Sequence, residues 1–305
     1  MKFDFGEVLT NAWKITWKHK VLWGIAFVMM FATFLFFPLM FVPMFMILIE
    51  DDPMRWLENP LPWIGMALGF VLMMIVSYGV GPLIRSSLAV GALKAERGVE
   101  KLTFRELFSE GRVFYLRFLG VTLLFAVTFM LISFLFSAIQ IFGTIVTMGL
   151  ASLCLTPLTL LMYPLMFAGM AWMELTESAV VVDGLGVMDA FRRGWETMRS
   201  NKMNVFIVAL VIYLGTGMIS SFVVFPFFLP MFFAPVFLLE GGIPSNAFLW
   251  GAGIWMLIFF PVMAFVQGIS MVFMKTGWLL TYLRLRQTPQ SVVLETVPQA
   301  DKETK

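Results

Sequence analysis

The chain has 305 residues, 60% of them hydrophobic and 13% charged, with a mean hydropathy of +0.90. Soluble domains carry about a quarter charged residues, so this composition excludes a soluble globular protein and predicts an all-α polytopic membrane protein. The formal net charge of +2 excludes little, because what matters here is how charge divides between the two sides of the bilayer.

The first element is a surface helix over 4–20, DFGEVLTNAWKITWKHK. Phe5, Val8, Leu9, Ala12, Trp13, Thr16 and Trp17 recur with a 3.6-residue period, while Glu7, Asn11, Lys14 and Lys18 lie off that stripe. Asp4 and Glu7 form a capping-box-like start. The same register fits 103–117 and 186–202 without gaps: Phe5, Phe104 and Val187 coincide, as do Glu7, Glu106 and Asp189, and Ala12, Gly111 and Gly194.

The first apolar run, Val21 to Ile49, would be about 43 Å long as one helix against a hydrocarbon core of about 30 Å, and Pro38 and Pro43 are expected to end or bend it. It is too long for the apolar core of a cleavable signal peptide, so the first span, about 21–45, acts as its own insertion signal. Lys2 stands where N-myristoylation needs glycine. An acidic loop, Glu50 to Pro62, leads into a second span over about 63–86, in which Gly65 and Gly69 form a small-residue contact motif and Gly81-Pro82 predicts a kink.

The second surface helix precedes two spans, about 118–140 and 145–173, joined around Gln140 to Thr144. After the third surface helix come spans over about 205–228 and 248–274. Pro226, Pro230 and Pro235 suggest a broken or re-entrant outer end to the fifth span, and the sixth is expected to continue toward Arg286. The tail, 287–305, has the composition of a disordered segment.

Sidedness gives an independent check. With a cytoplasmic N-terminus, 20 of the 21 Lys and Arg residues fall on or beside the cytoplasmic face, and Arg55 alone is outside. Trp23, Trp172 and Trp278 then mark the inner boundary, and Trp63, Trp250 and Trp255 the outer. The expectation is six transmembrane helices in three parallel repeats, 1–98, 99–180 and 181–286. A cytoplasmic amphipathic interfacial helix precedes each hairpin, and both termini are cytoplasmic. Parallel repeats allow pseudo-threefold symmetry and disfavour an inverted-repeat transporter.

The six proposed cores hold no Asp, Glu, Lys or Arg apart from Arg85 at an inner end, beside which Lys275 lies just past another; both are expected to snorkel. Ion-coupled carriers usually need ionisable groups within the span, so that class is disfavoured. Glu174 and Glu177 are expected as solvated helix-end charges with the third surface helix's basic residues in reach. His19 is the only histidine, which removes histidine-based zinc sites and serine–histidine triads; it is expected to face lipid. Cys154 is the only cysteine, so no internal disulfide forms. Met162, Met166, Met170 and Met173 share a helix face, with Cys154 two turns earlier; such ligands suit Cu(I), but packing is the reading for so Met-rich a chain. There is no P-loop and no G-x-S-x-G, and no enzymatic activity and no cofactor are expected.

The candidate functional residues are therefore the cations of the surface helices: Lys14, Lys18 and Lys20; Arg105, Arg112 and Arg117; Arg192, Arg193, Arg199 and Lys202. Cations at a helix edge attract anionic headgroups at about 1 kcal/mol each.

The stretch AVVVDGLGVMDAFRRGWETMR, Ala179 to Arg199, resembles the membrane domain attached to some bacterial glycerophosphodiester phosphodiesterases and found as free-standing six-span proteins. Asp183, Gly184, Asp189, Ala190, Arg193, Gly194 and Trp195 carry the likeness, Gly194 replacing an expected serine, and FGEVLTNAWKITWKHK is similar to how such proteins begin. The resemblance implies fold and a bacterial inner-membrane location, with no catalytic residues and no attached phosphodiesterase domain. The expected role is a non-enzymatic membrane protein that organises or senses the inner leaflet, or a membrane subunit for a protein partner, with membrane lipids and not nucleic acid as ligands. The alternative is a carrier for lipid or another hydrophobic molecule, which would show a polar-lined cavity reaching Tyr78, Tyr163, Tyr213 or Gln267.

Overall fold

The computed structural model describes residues 3–36, 58–239 and 246–287. All regular structure among them is helical: α1 Phe5–Lys18, α2 Lys20–Leu35, α3 Pro60–Met74, α4 Gly81–Glu96, α5 Phe104–Val146, α6 Leu150–Val182, α7 Val187–Ser200, α8 Lys202–Leu239 and α9 Asn246–Gln287. A π-helical turn, Ile75–Val80, joins α3 to α4. Five stretches are long and apolar enough to cross a membrane, Pro60–Glu96, Phe104–Val146, Met162–Val182, Lys202–Pro226 and Leu257–Arg286; α1 and α2, bent by 83°, count as a sixth if the pair is one span. The chain is a multi-pass helical membrane protein. Pro38, Pro43, Arg55, most of the 50–62 loop and the tail after 287 lie outside the described residues.

Local chemistry accounts for the breaks. Asp4 caps α1 by accepting from the Glu7 N–H at 3.1 Å, but Glu7 does not reach back; its carboxylate accepts instead from Arg284, at 2.8 Å. α1 buries Val8, Ala12, Ile15 and Thr16 and leaves Trp13 and Trp17 exposed, so its packed face sits to one side of the predicted stripe. At the bend, His19 is buried rather than lipid-facing. The Trp23 indole donates to the Thr16 carbonyl at 2.7 Å, satisfying an acceptor that the end of α1 leaves without a helical donor.

The π turn is the form taken by the expected kink. Pro82 has no N–H and crowds the carbonyl four residues back, and widening the register relieves this: the Gly81 N–H bonds Val76 five residues earlier. Gly65 is not a contact, since a methyl placed there would meet nothing within 4 Å.

Three expected breaks are corrected. Residues 103–117 do not form a separate helix, because α5 is one continuous helix from Phe104 to Val146 with no proline within it. Gln140 to Thr144 are helical too; the turn falls at Thr147 to Gly149, where Gly149 (φ +95°) and Met148 (φ +49°) adopt left-handed backbone. Likewise α8 is helical through Pro226, Pro230 and Pro235 to Leu239. An apolar strand of chain in lipid has few partners for its backbone other than its own helix.

Burial is concentrated at one end, here called the base. Trp278, Tyr282, Phe118, Leu22, Ile84, Leu88 and Leu175 are fully buried there. Towards the other end, Met130, Phe134, Phe142 and Met148 of the α5 hairpin, and Met218 and Phe222 of α8, are exposed. Gly268 of α9 lies against α2, where an added methyl would stand 3.2 Å from the Phe27 nitrogen.

Candidate functional site

At the base, α4, α6 and α9 each contribute charge to one buried cluster. The Lys275 ammonium lies 2.6 Å from Glu174 Oε2 and 2.5 Å from Glu177 Oε2. The Arg85 guanidinium lies 3.0 Å from Glu177 Oε1; the approach is off the N–H axis, so this oxygen has an ionic partner and no aligned hydrogen bond. Arg85 also donates to Thr122 Oγ1 of α5 at 2.5 Å, and Thr122 donates to the Phe118 carbonyl at 2.8 Å. The Glu174, Glu177 and Lys275 side chains are at most 5% exposed. Two positive and two negative charges are thus held without net charge, the arrangement that offsets the cost of desolvating each.

This overturns the expectation of solvated helix-end charges. Glu174 and Glu177 pair with Lys275 and Arg85, not with the third surface helix, and neither cation snorkels to lipid phosphates. Ionisable side chains therefore do lie buried among the helices, and neither described cavity is lined by any of the four residues.

Two residues after Arg85, Glu174 and Lys275 stand Ser87, Thr176 and Gly277, and each receives a helix. A methyl on Gly111 of α5 would sit 2.8 Å from the Ser87 Cα, and one on Gly194 of α7 would sit 3.0 Å from the Thr176 nitrogen. A methyl on Gly277 would lie 4.0 Å from the Ala12 Cβ of α1. Ala12, Gly111 and Gly194 are the positions that coincide in the sequence register. Nine residues after the cluster positions come Lys94, Asp183 and Arg284. Lys94 pairs with Glu106 and, at 2.6 Å, with Glu110. Arg284 lies 2.8 Å from Glu7 and 3.3 Å from Glu96. Asp183 would face a like charge at Asp189; it pairs instead with Arg286 at 2.5 Å and accepts from the Tyr282 hydroxyl.

The predicted surface cations lie around this base without converging on one point. Lys14, Lys18, Lys20, Arg105, Arg112, Arg192, Arg193, Arg199 and Lys202 are exposed and Arg117 is half-buried. Arg117 donates to the Gly184 carbonyl at 2.8 Å, and Arg193 lies 3.7 Å from Glu196. Arg199 and Lys202 alone among the ten border a cavity of about 650 Å³, formed by α6, α7 and α8 and otherwise lined by apolar side chains and Tyr213. The methionine stripe divides: Met162, Met166 and Met170 line a hollow of about 90 Å³ with Phe129 and Ile132, while the Met173 sulfur faces Arg85 at 4.0 Å. The Cys154 side chain lies outside the described residues. Among those described, no three His, Cys, Asp or Glu side chains gather as metal ligands. The Tyr213 hydroxyl and Trp278 indole N–H are buried without a described partner.

Sequence reasoning missed the charge cluster and the receiving positions. The available signal was an ionisable residue at the same place at the end of three apolar runs, obscured because its sign changes from one to the next.

The class these features define is a multi-pass helical membrane protein fastened at one end by buried charge and close helix contacts. No protein-family model matches the chain, and no curated protein or solved structure matches it.

Proposed function

We propose that the chain is a non-enzymatic protein of the bacterial cytoplasmic membrane. In this reading three parallel hairpin repeats hold cationic surface segments, α1, the first turns of α5, and α7, at the inner leaflet, organising anionic lipid there or serving as the membrane subunit of a protein partner. The observation that carries it is the recurrence of one contact. Ala12, Gly111 and Gly194 dock on Gly277, Ser87 and Thr176, so each surface segment packs on the second helix of the hairpin before it, and the first packs on the last. A closed ring of this kind is what parallel repeats about a membrane-normal axis would produce. Docking the small-residue face turns the opposite, cationic face outward, where exposed Lys14, Lys18, Arg105 and Arg112 would meet headgroups. With the cations cytoplasmic, both termini lie on that side. The likeness of 179–199 to the phosphodiesterase-associated membrane domain is part of the same proposal and adds no catalytic residue. The carrier alternative has less support: the large cavity is apolar-lined, and Gln267 is engaged with Ser220 at 3.4 Å.

The test is electron spin resonance of the reconstituted full chain with spin-labelled phosphatidylglycerol or phosphatidylcholine. The anionic label is expected to be enriched in the motionally restricted shell. Replacing Lys14, Lys18, Arg105 and Arg112 together by Gln is expected to remove most of the preference, at about 1 kcal/mol per cation near the surface. Equal restriction of the two lipids by the unaltered protein would falsify the reading.

A further inference from the structure

The three docking interfaces are built alike but filled differently. Where α1 meets α9, Trp17 stacks edge-on against Trp23 with ring centroids 4.8 Å apart, and Trp23 meets Phe265 at 5.8 Å. Where α7 meets α6, the same register puts Arg199 at the place of Trp17, Val205 at that of Trp23 and Pro164 at that of Phe265. All three of these residues line the cavity of about 650 Å³. Three aromatic side chains therefore occupy in one interface the room left empty in the other. The volume lies in the range of about 300–1,000 Å³ typical of ligand pockets.

The lining decides what fits. Phe167, Ala168, Phe206 and Leu210 make an apolar wall, and the cations, Arg199 and Lys202, flank the turn between α7 and α8. Neither cation has an acidic partner among the described residues, whereas Lys94, Arg284 and Arg286 are all paired. A free inorganic anion would have no use for the wall, and an uncharged hydrophobe none for the cations.

We infer that this cavity is a discrete site for one anionic phospholipid, its phosphate held by Arg199 and Lys202 and an acyl chain lying between α6 and α8. The inference deepens the proposal of an inner-leaflet lipid-interacting protein and rests on its three-repeat reading. It concerns a single slowly exchanging lipid rather than the surrounding shell, so loss of the site leaves the shell preference of α1 and α5 intact.

The experiment is native mass spectrometry of the delipidated full chain titrated with phosphatidylglycerol or phosphatidylcholine. One phosphatidylglycerol is expected to bind at least tenfold more tightly than phosphatidylcholine. Arg199→Gln with Lys202→Gln should weaken it by about tenfold or more. Val205→Trp with Pro164→Phe, which copies the aromatic filling of the first interface, should abolish it. Arg97→Gln with Lys101→Gln removes the same charge elsewhere and should change nothing. Equal affinity for the two lipids overturns the inference, as does retention in the filled variant or in the one lacking Arg199 and Lys202. Should the filled variant fail to fold, a photoactivatable phosphatidylglycerol on the unaltered protein decides: adducts within 164–171 and 203–214 support the site, and adducts confined elsewhere overturn it.

Discussion

The base and the distal half of this molecule both carry many large apolar side chains, yet only the base is packed. Ile84, Leu88, Ile212 and Leu279 are at most 1% exposed, while Ile139, Ile141, Phe142 and Ile145 are more than half exposed. The difference lies in what accompanies the apolar residues. Lipid is as apolar as leucine, so burying leucine against leucine gains little in a membrane, and helices associate where small residues allow close approach or polar groups pair. The base has both, in the Gly111, Gly194 and Gly268 contacts and in the four-charge cluster. The described distal segments carry no ion pair, and methyls at Gly215 and Gly217 of α8 would meet open space.

The most damaging way to erase that difference is to unbalance the charges. Lys275→Met leaves Glu174 and Glu177 sharing a buried site with Arg85 alone, and the expected loss is about 3–5 kcal/mol. Denaturant titration in mixed micelles would measure it. Adding Glu174→Leu restores neutrality while keeping Arg85 with Glu177, and most of the lost stability should return. If the single variant is as stable as the unaltered chain, the cluster does not fasten the base.

Next in size are the close contacts. A methyl at Gly111 meets Ser87 backbone atoms that cannot rotate away, so Gly111→Ala should cost about 1–3 kcal/mol. Gly215→Ala meets nothing within 4 Å and should be neutral or stabilising by up to about 1 kcal/mol through helix propensity. The same assay reads both, and equal effects would mean that glycine acts through propensity alone.

How much of the base was legible follows from which features repeat in kind. The three surface segments could be aligned because Phe5, Phe104 and Val187, or Ala12, Gly111 and Gly194, are chemically similar. Their receiving positions could not: Ser87, Thr176 and Gly277 are alike only in being small. Arg85, Glu174 and Lys275 share a position but not a sign, and sequence alone reads them as three unrelated helix-end charges. Helix lengths failed for a separate reason. Polar or proline-bearing stretches such as 140–144 and 226–235 suggest turns, but backbone in an apolar surrounding keeps its own hydrogen bonds, and the turn between α5 and α6 appears where Gly149 permits left-handed backbone.

The smallest effect, expected at Ile139, sharpens the comparison when it is set against the same change at the base. Ile84→Ala at the base, where the side chain is wholly buried, should cost about 2–5 kcal/mol, because neighbours fixed by the cluster cannot collapse into the hole. Ile139→Ala in the distal part of α5, where the side chain is 56% exposed, should stay within about 0.5 kcal/mol, since lipid chains replace the lost contacts. The pair is informative because the deleted atoms are the same. A cost above 1 kcal/mol at Ile139 would mean that another surface covers the distal half in the membrane. Repeating the measurement at tenfold lower protein-to-lipid ratio would then tell a second copy of the chain, whose contribution falls on dilution, from a contact within one chain, which does not.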